Sequence, residues 1–169
     1  VADVRDWIDE TVERCGWAVL SVAPRVDSDD PQEWFSYSIG LAHSFGWPEL
    51  IVFGMGSELR AAIINDAVRE CRDKGVAPHS GMRLTEVLEG YDVLCRDGAD
   101  IADQYFGGAI RFARKTGQTQ DMQRLQLFWP DLEGLFPGDP GCDEGVVAEQ
   151  TPLNPIYRKK RRFHLFGRS

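Results

Sequence analysis

Between Pro48-Glu49 and Gly54 the chain sets four apolar residues in a row, Leu50, Ile51, Val52 and Phe53. The run is too short for a helix and has no polar face, so it fits a central strand of a sheet. The flanking segments read as the company such a strand needs. Trp34 to Leu41 alternates, with Trp34, Ser36 and Ser38 on one face and Phe35, Tyr37 and Ile39 on the other. Trp17 to Val22 reads as a further strand. It follows a helix from Asp3 to Cys15, in which Val4, Ile8, Val12 and Cys15 recur at helical spacing and Gly16 is the stop. Downstream, Gly54-Met55-Gly56-Ser57 turns into the main helix. Its buried face is expected to hold Leu59, Ile63, Ile64, Ala67, Val68 and Cys71, with Ser57 as N-cap and Gly75 as the stop.

Met82 to Val87 and Tyr91 to Arg96 read as two more strands, and Asp97-Gly98 as a turn. Ile101 to Arg114 reads as helical in part, weakened at Gly107-Gly108 by ~1 kcal/mol per glycine relative to alanine. Gln123 to Trp129 is the last strand, ended by Pro130. Asp131 to Pro155 reads as one long loop rich in Gly, Pro and acids, a length that marks a functional or disordered segment. The expected fold is α+β: an antiparallel or mixed, curled sheet of five to six strands with one main helix and two smaller ones packed on it. Residues 1–155 form one domain and 156–169 a basic tail. The tail follows Pro152 and Pro155 and is expected to be dispensable for folding, with Phe163, Leu165 and Phe166 as the residues that would dock it if it is not.

Charge is unevenly divided. The net of −8 combines +6 from the tail, which holds no acid, with −14 from the rest. An acidic body repels phosphates, so nucleic acid is not an expected partner except through the tail. No apolar run approaches the ~20 residues of a membrane-spanning helix, and the N-terminus does not read as a secretory signal. Cys15, Cys71, Cys95 and Cys142 are widely spaced. The first three sit in apolar-periodic segments and read as small buried hydrophobes, so free thiols and a cytoplasmic location are expected.

Two blocks concentrate aromatic residues, turn formers and a few polar groups. The first is Phe35-Ser36-Tyr37-Ser38-Ile39-Gly40-Leu41, leading into Pro48-Glu49-Leu50-Ile51-Val52-Phe53-Gly54. After Tyr105-Phe106-Gly107, the second runs from Gln126-Leu127-Phe128-Trp129-Pro130-Asp131 to Gly134-Leu135-Phe136-Pro137-Gly138-Asp139-Pro140-Gly141. The order of these blocks over Gly16 to Leu153 resembles the bacterial family called domain of unknown function 4262. That resemblance implies a fold and a site location. It brings no activity, cofactor or catalytic residue to carry over. One departure is visible: members of that family tend to have an aromatic residue, often Trp, after Phe-Pro, where this chain has Gly138.

The chemical candidates are few. Gly54-x-Gly56-Ser57 lacks the further glycine of a dinucleotide fingerprint, since Leu59 stands there, and it lacks the lysine of a P-loop. His43, His79 and His164 have no partner at zinc spacing, so no metal or cofactor is expected. Cys142 is followed by Asp143 and Glu144, which oppose a thiolate. Asp131, Glu133, Asp139, Asp143 and Glu144 lack EF-hand spacing and read as a solvated acidic loop. Tyr37, His43, Trp47, Trp129, Asp131 and Phe136 are the expected ligand-binding residues. Tyr37, His43, Trp129 and Asp131 are expected around one cleft where two strand ends exit together. The competing reading has Trp129 plugging the core and Asp131 capping a turn. Three functions are open: a cytoplasmic small-molecule or protein binding module without catalysis, a small-molecule enzyme using His43 with Asp131 or Glu49 as acid–base groups, and a partner-binding protein of immunity or antitoxin type. A homodimer is open as well.

Overall fold

Asp3 accepts a hydrogen bond from Arg5 N and starts α1 (Val4–Cys15), which Gly16 ends at φ 95° while donating to Val12 O. Ile8 and Val12 are the face that α1 buries. The computed structural model describes residues 3–98, 100–118 and 121–158. The tail from Lys159 onward, with His164, lies outside them. Cys15 is exposed at the helix end, so the apolar spacing that suggested burial fails in the last turn. Cys71 and Cys95 are buried, and none of the four cysteines is bonded to another.

The strands are β1 (Ala18–Val22), β2 (Phe35–Ile39), β3 (Glu49–Phe53), β4 (Arg83–Leu88), β5 (Tyr91–Asp97) and β6 (Arg124–Phe128). They form one open mixed sheet in the order β1-β2-β3-β6-β5-β4. The apolar run sits where its composition requires, in mid-sheet. It lies antiparallel to β2, with Tyr37 opposite Ile51, and parallel to β6, with Val52 opposite Leu127. The other three pairings are antiparallel.

One face is covered by α3 (Ser57–Lys74), which packs Ile63, Ile64, Ala67, Val68 and Cys71 on Leu50, Val52, Leu84, Val93, Cys95, Leu125 and Leu127. Gly56, not Ser57, is the N-cap, and no side chain caps the first turn. The residue that continues the buried stripe at the helix start is Arg60, 1% exposed, while Leu59 is 42% exposed. Glu70, also buried in α3, accepts bonds from Thr85 N and Glu86 N and so ties β4 to the helix.

On the other face, α1 and α4 (Gly107–Lys115) enclose Phe35, Tyr37, Ile39, Ile51, Phe53, Phe106 and Phe112. Gly107-Gly108 begins α4 instead of interrupting it. A Cβ at Gly108 would stand 2.8 Å from the Tyr37 hydroxyl, so the close approach of helix to strand requires glycine there. Gly40 to Pro48, expected as a plain connection, contains a short helix, α2 (Leu41–Phe45). The expected loop from Asp131 contains α5 (Glu144–Glu149) and a single 3₁₀ turn at Pro155–Tyr157.

Candidate functional site

The sequence candidates separate into two groups at opposite ends of β3. At the Glu49 end lie His43, Trp47 and Glu49. At the Phe53 end lies Trp129, whose indole N–H donates to Phe53 O at 2.8 Å. Four residue steps of strand, about 13 Å, separate the two ends. His43 and Trp129 therefore do not line one cleft, and neither His43 with Asp131 nor His43 with Glu49 forms a hydrogen-bonded acid–base pair. The reason is topological. Chain exiting β2 turns at the end where β3 begins, whereas chain exiting β6, parallel to β3, leaves at the end where β3 stops.

Tyr37 is a core residue. It is 3% exposed, and its hydroxyl accepts from Gly108 N at 2.9 Å. Burial raises its pKa, with the Gly108 amide opposing. His43 is exposed and meets Phe112 edge-on at 5.4 Å. Trp47 is half-buried against Phe45 at 4.9 Å and borders a cavity of about 330 Å³ with Ala42, Pro48 and Gln123. Glu49 is 1% exposed beneath the start of α2. It accepts from Ala42 N at 3.1 Å and from the Ser38 hydroxyl at 3.3 Å. Burial pushes its carboxyl up to about 8, against the opposing pull of the amides of Ala42, Leu41 and Gly40 and of Ser38.

At the other end, the block from Trp129 to Gly141 is a self-braced loop. Trp129 is 6% exposed, and the Gln150 side chain bonds both its N–H and its C=O, at 2.9 and 2.8 Å. Asp131 accepts from Glu133 N, Leu135 N and Asp143 N, each at 2.9 Å. The amides of Asp143 and Leu135 hold its carboxyl below the usual carboxylate range. Phe136 is buried with Leu94 and Phe128. These three residues plug, cap and anchor the loop.

What the braced loop does enclose is a cavity of about 380 Å³. Pro137, Gly138, Asp139 and Cys142 form one wall, Val147 of α5 and Pro152 a second, and Tyr157 with Arg158 the third. Gly138 sits at φ 98°, and a Cβ there would stand 2.9 Å from Tyr157 O. The bare glycine is thus what lets the C-terminal segment close this wall. Arg96 adjoins the cavity behind Gly138, its guanidinium between the rings of Phe128 and Tyr157 at 5.0 and 5.2 Å and bonded to Pro137 O. Cys142 is kept a thiol. Burial raises its pKa, the charges of Asp131, Asp139 and Asp143 raise it further, and its S–H donates to Leu135 O.

Three residues that hold this region in place went unread in the sequence. Gln126 bonds Thr151 O and Leu153 N, and Gln150 clasps Trp129, so two glutamines fasten segment 150–153 to β6. Arg60 donates to Gly54 O, Met55 O and the Ser36 hydroxyl. A polar residue among apolar neighbours was the only signal for Gln126 and Arg60, and Gln150, between Glu149 and Thr151, carried none. Among the described residues no group of three or more His, Cys, Asp or Glu side chains is placed to hold a metal ion, and no helix is long and apolar enough to cross a membrane.

Residues 11–143 match the family described as Domain of unknown function (DUF4262), and the chain belongs to that family. Comparison with curated proteins and with solved structures finds no match.

Proposed function

We propose that this domain is a binding module without catalysis, taking a small organic molecule into the cavity between the Pro137–Cys142 loop, α5 and the Tyr157–Arg158 segment. The observation that carries the reading is the cavity itself: about 380 Å³, within the size range of ligand sites, and walled in part by the second of the two sequence blocks. Its lining suits a ligand with an apolar body, which Val147, Pro137 and Pro152 would contact, and a polar group reaching Arg158 or Tyr157. Both carboxylates the sequence offered for acid–base work are engaged otherwise, since Asp131 holds three amides and Glu49 is sealed under α2, which leaves exposed His43 without either partner. A cytoplasmic location belongs to this reading, supported by four cysteines that are not paired with one another.

The test is a thermal-shift screen of metabolite-like compounds, followed by native mass spectrometry of the hits. Val147→Trp, a half-buried helix position facing the cavity, should fill it and abolish the shift while leaving the unliganded melting temperature within a few degrees. Hits that bind Val147→Trp as tightly as the parent protein would place the ligand elsewhere. Partner binding is the second reading, favoured by Leu132, which is 87% exposed beside Tyr91, whose hydroxyl donates to Leu132 O.

A further inference from the structure

On the far side of α5 from that cavity lies a second cleft of about 350 Å³, bounded by Asp29, Pro31, Trp34, Gly54, Met55 and Glu149. Its chemistry differs from that of the first. Trp34 is 46% exposed, so a large indole face is open to solvent. Asp29 and Glu149 are exposed carboxylates. Among the described residues neither has a cation within 4.0 Å or a side-chain hydrogen bond, so both carboxylates are free to meet a cation. An indole face attracts cations through its quadrupole, and two carboxylates beside it add direct charge. The chain's net charge of −8 favours the approach of the same ligands.

Three walls of this cleft, Trp34, the Gly54–Met55 turn and Glu149, are tied to one another by hydrogen bonds and close packing. Gly54 N donates to Trp34 O at 3.1 Å, which joins the tryptophan's backbone to the β3–α3 turn. Arg60 holds that turn from inside, at 3.2 Å to Gly54 O and 2.7 Å to Met55 O, and so supports Met55 at φ 58°. A Cβ at Gly54 would stand 2.9 Å from the Trp129 ring and 3.1 Å from Glu149 Cβ, so Glu149 packs directly against the turn. Gln150, next in the chain, is clamped to Trp129 by two hydrogen bonds. Trp34, Met55 and Glu149 are therefore set on a rigid base, the condition under which an exposed aromatic face and nearby charges act together instead of as three solvated side chains.

We propose that this cleft binds an organic ammonium group, with the cation over the Trp34 ring and between the carboxylates of Asp29 and Glu149. The group belongs to a free small amine or to a lysine side chain of a polypeptide, since both present the same head. The site is independent of the cavity on the other side of α5.

The test is isothermal titration of the full chain at low ionic strength with two probes, n-butylammonium and a short lysine-containing peptide acetylated at its N-terminus. Saturable binding of either is the expected result. Affinity should fall at least about threefold in Trp34→Leu and in Glu149→Gln, and stay unchanged in Glu10→Gln, which removes the same charge from α1. Tighter binding of the peptide assigns the site to a partner protein, and tighter binding of the free amine assigns it to a metabolite. Equal loss in Glu10→Gln and Glu149→Gln would reduce the effect to net charge and overturn the proposal. So would undiminished binding in Trp34→Leu, or no saturable binding of either probe. Both altered side chains of the cleft are exposed, so unchanged melting temperatures should accompany the affinity losses.

Discussion

Glu49 lies at the start of the central strand, sealed from solvent and served by amides and a hydroxyl but by no cation within ion-pair distance among the described residues. Its folded-state pKa of about 8 stands above its ordinary value of 4.5. The folded chain therefore keeps a proton that the unfolded chain gives up between those two values. Stability from this group is full below 4.5 and is lost as pH rises toward 8, by at most about 1.4 kcal/mol per pH unit. Glu49→Gln keeps the shape and the acceptor for Ala42 N, and its amide N–H₂ can donate to Ser38. Denaturant unfolding between pH 5 and 8 should show a flatter dependence for Glu49→Gln than for the parent chain. Parallel pH profiles would mean that Glu49 is ionised in the fold at neutral pH. The sequence offered Glu49, at the start of the apolar run, as an acid–base group alongside His43. The amides of α2 that meet it were out of reach of that reading, because a five-residue helix leaves almost no periodic signal.

At the scale of the element, the loop after β6 owes its form to one carboxylate. Asp131 binds the amides of residues 133, 135 and 143, so it closes a tight turn and fixes the approach to α5. Asp131→Ala would leave three donors to find water, and hydrogen exchange of the amides from 133 to 143 should accelerate by at least about tenfold while those of β2 and β3 stay protected. Uniform protection would show that Phe136 and Trp129 hold the loop unaided. Proline, glycine and aspartate made this turn-rich segment readable in the sequence. The same residues hid α5, a short helix without a strong apolar stripe. In α3 the reading missed Arg60 for a related reason. Apolar periodicity located the face from Ile63 to Cys71, but a charged residue on that face is recognised only once its partners, two carbonyls and a serine hydroxyl from other elements, are in view.

At the scale of the whole molecule, the strands and the main helix were legible, because strand signals in this chain are short, alternating or wholly apolar, whereas the choice between an antiparallel and a mixed sheet stayed open until β6 was seen parallel to β3. Strand order was not legible either. It depends on β6 joining β3 across a crossover that contains α3, β4, β5 and α4. The expected cleft failed at that point, since its residues were assigned to neighbouring strand ends without knowledge of which ends coincide. The C-terminal boundary shifts too. Tyr157 stacks on Arg96, and Arg158 donates to Pro152 O, so the domain extends past Pro155. A chain ending at Arg158 should keep the melting temperature of the full chain. One ending at Pro155 loses a ring face on Arg96 and a cavity wall, and should melt about 2–6 °C lower. Identical melting curves for the two would return the boundary to Pro155.

The parallel pairing of β3 with β6 also sets a timetable. During translation β1, β2 and β3 emerge early and can form their antiparallel pairs at once. The inner edge of β3, with its apolar run, then waits unpaired until residue 128 has left the ribosome. Through that interval the most hydrophobic strand of the protein is an open edge, and the speed with which the chain between β3 and β6 is made and collapses decides how long a nascent molecule is exposed to its neighbours.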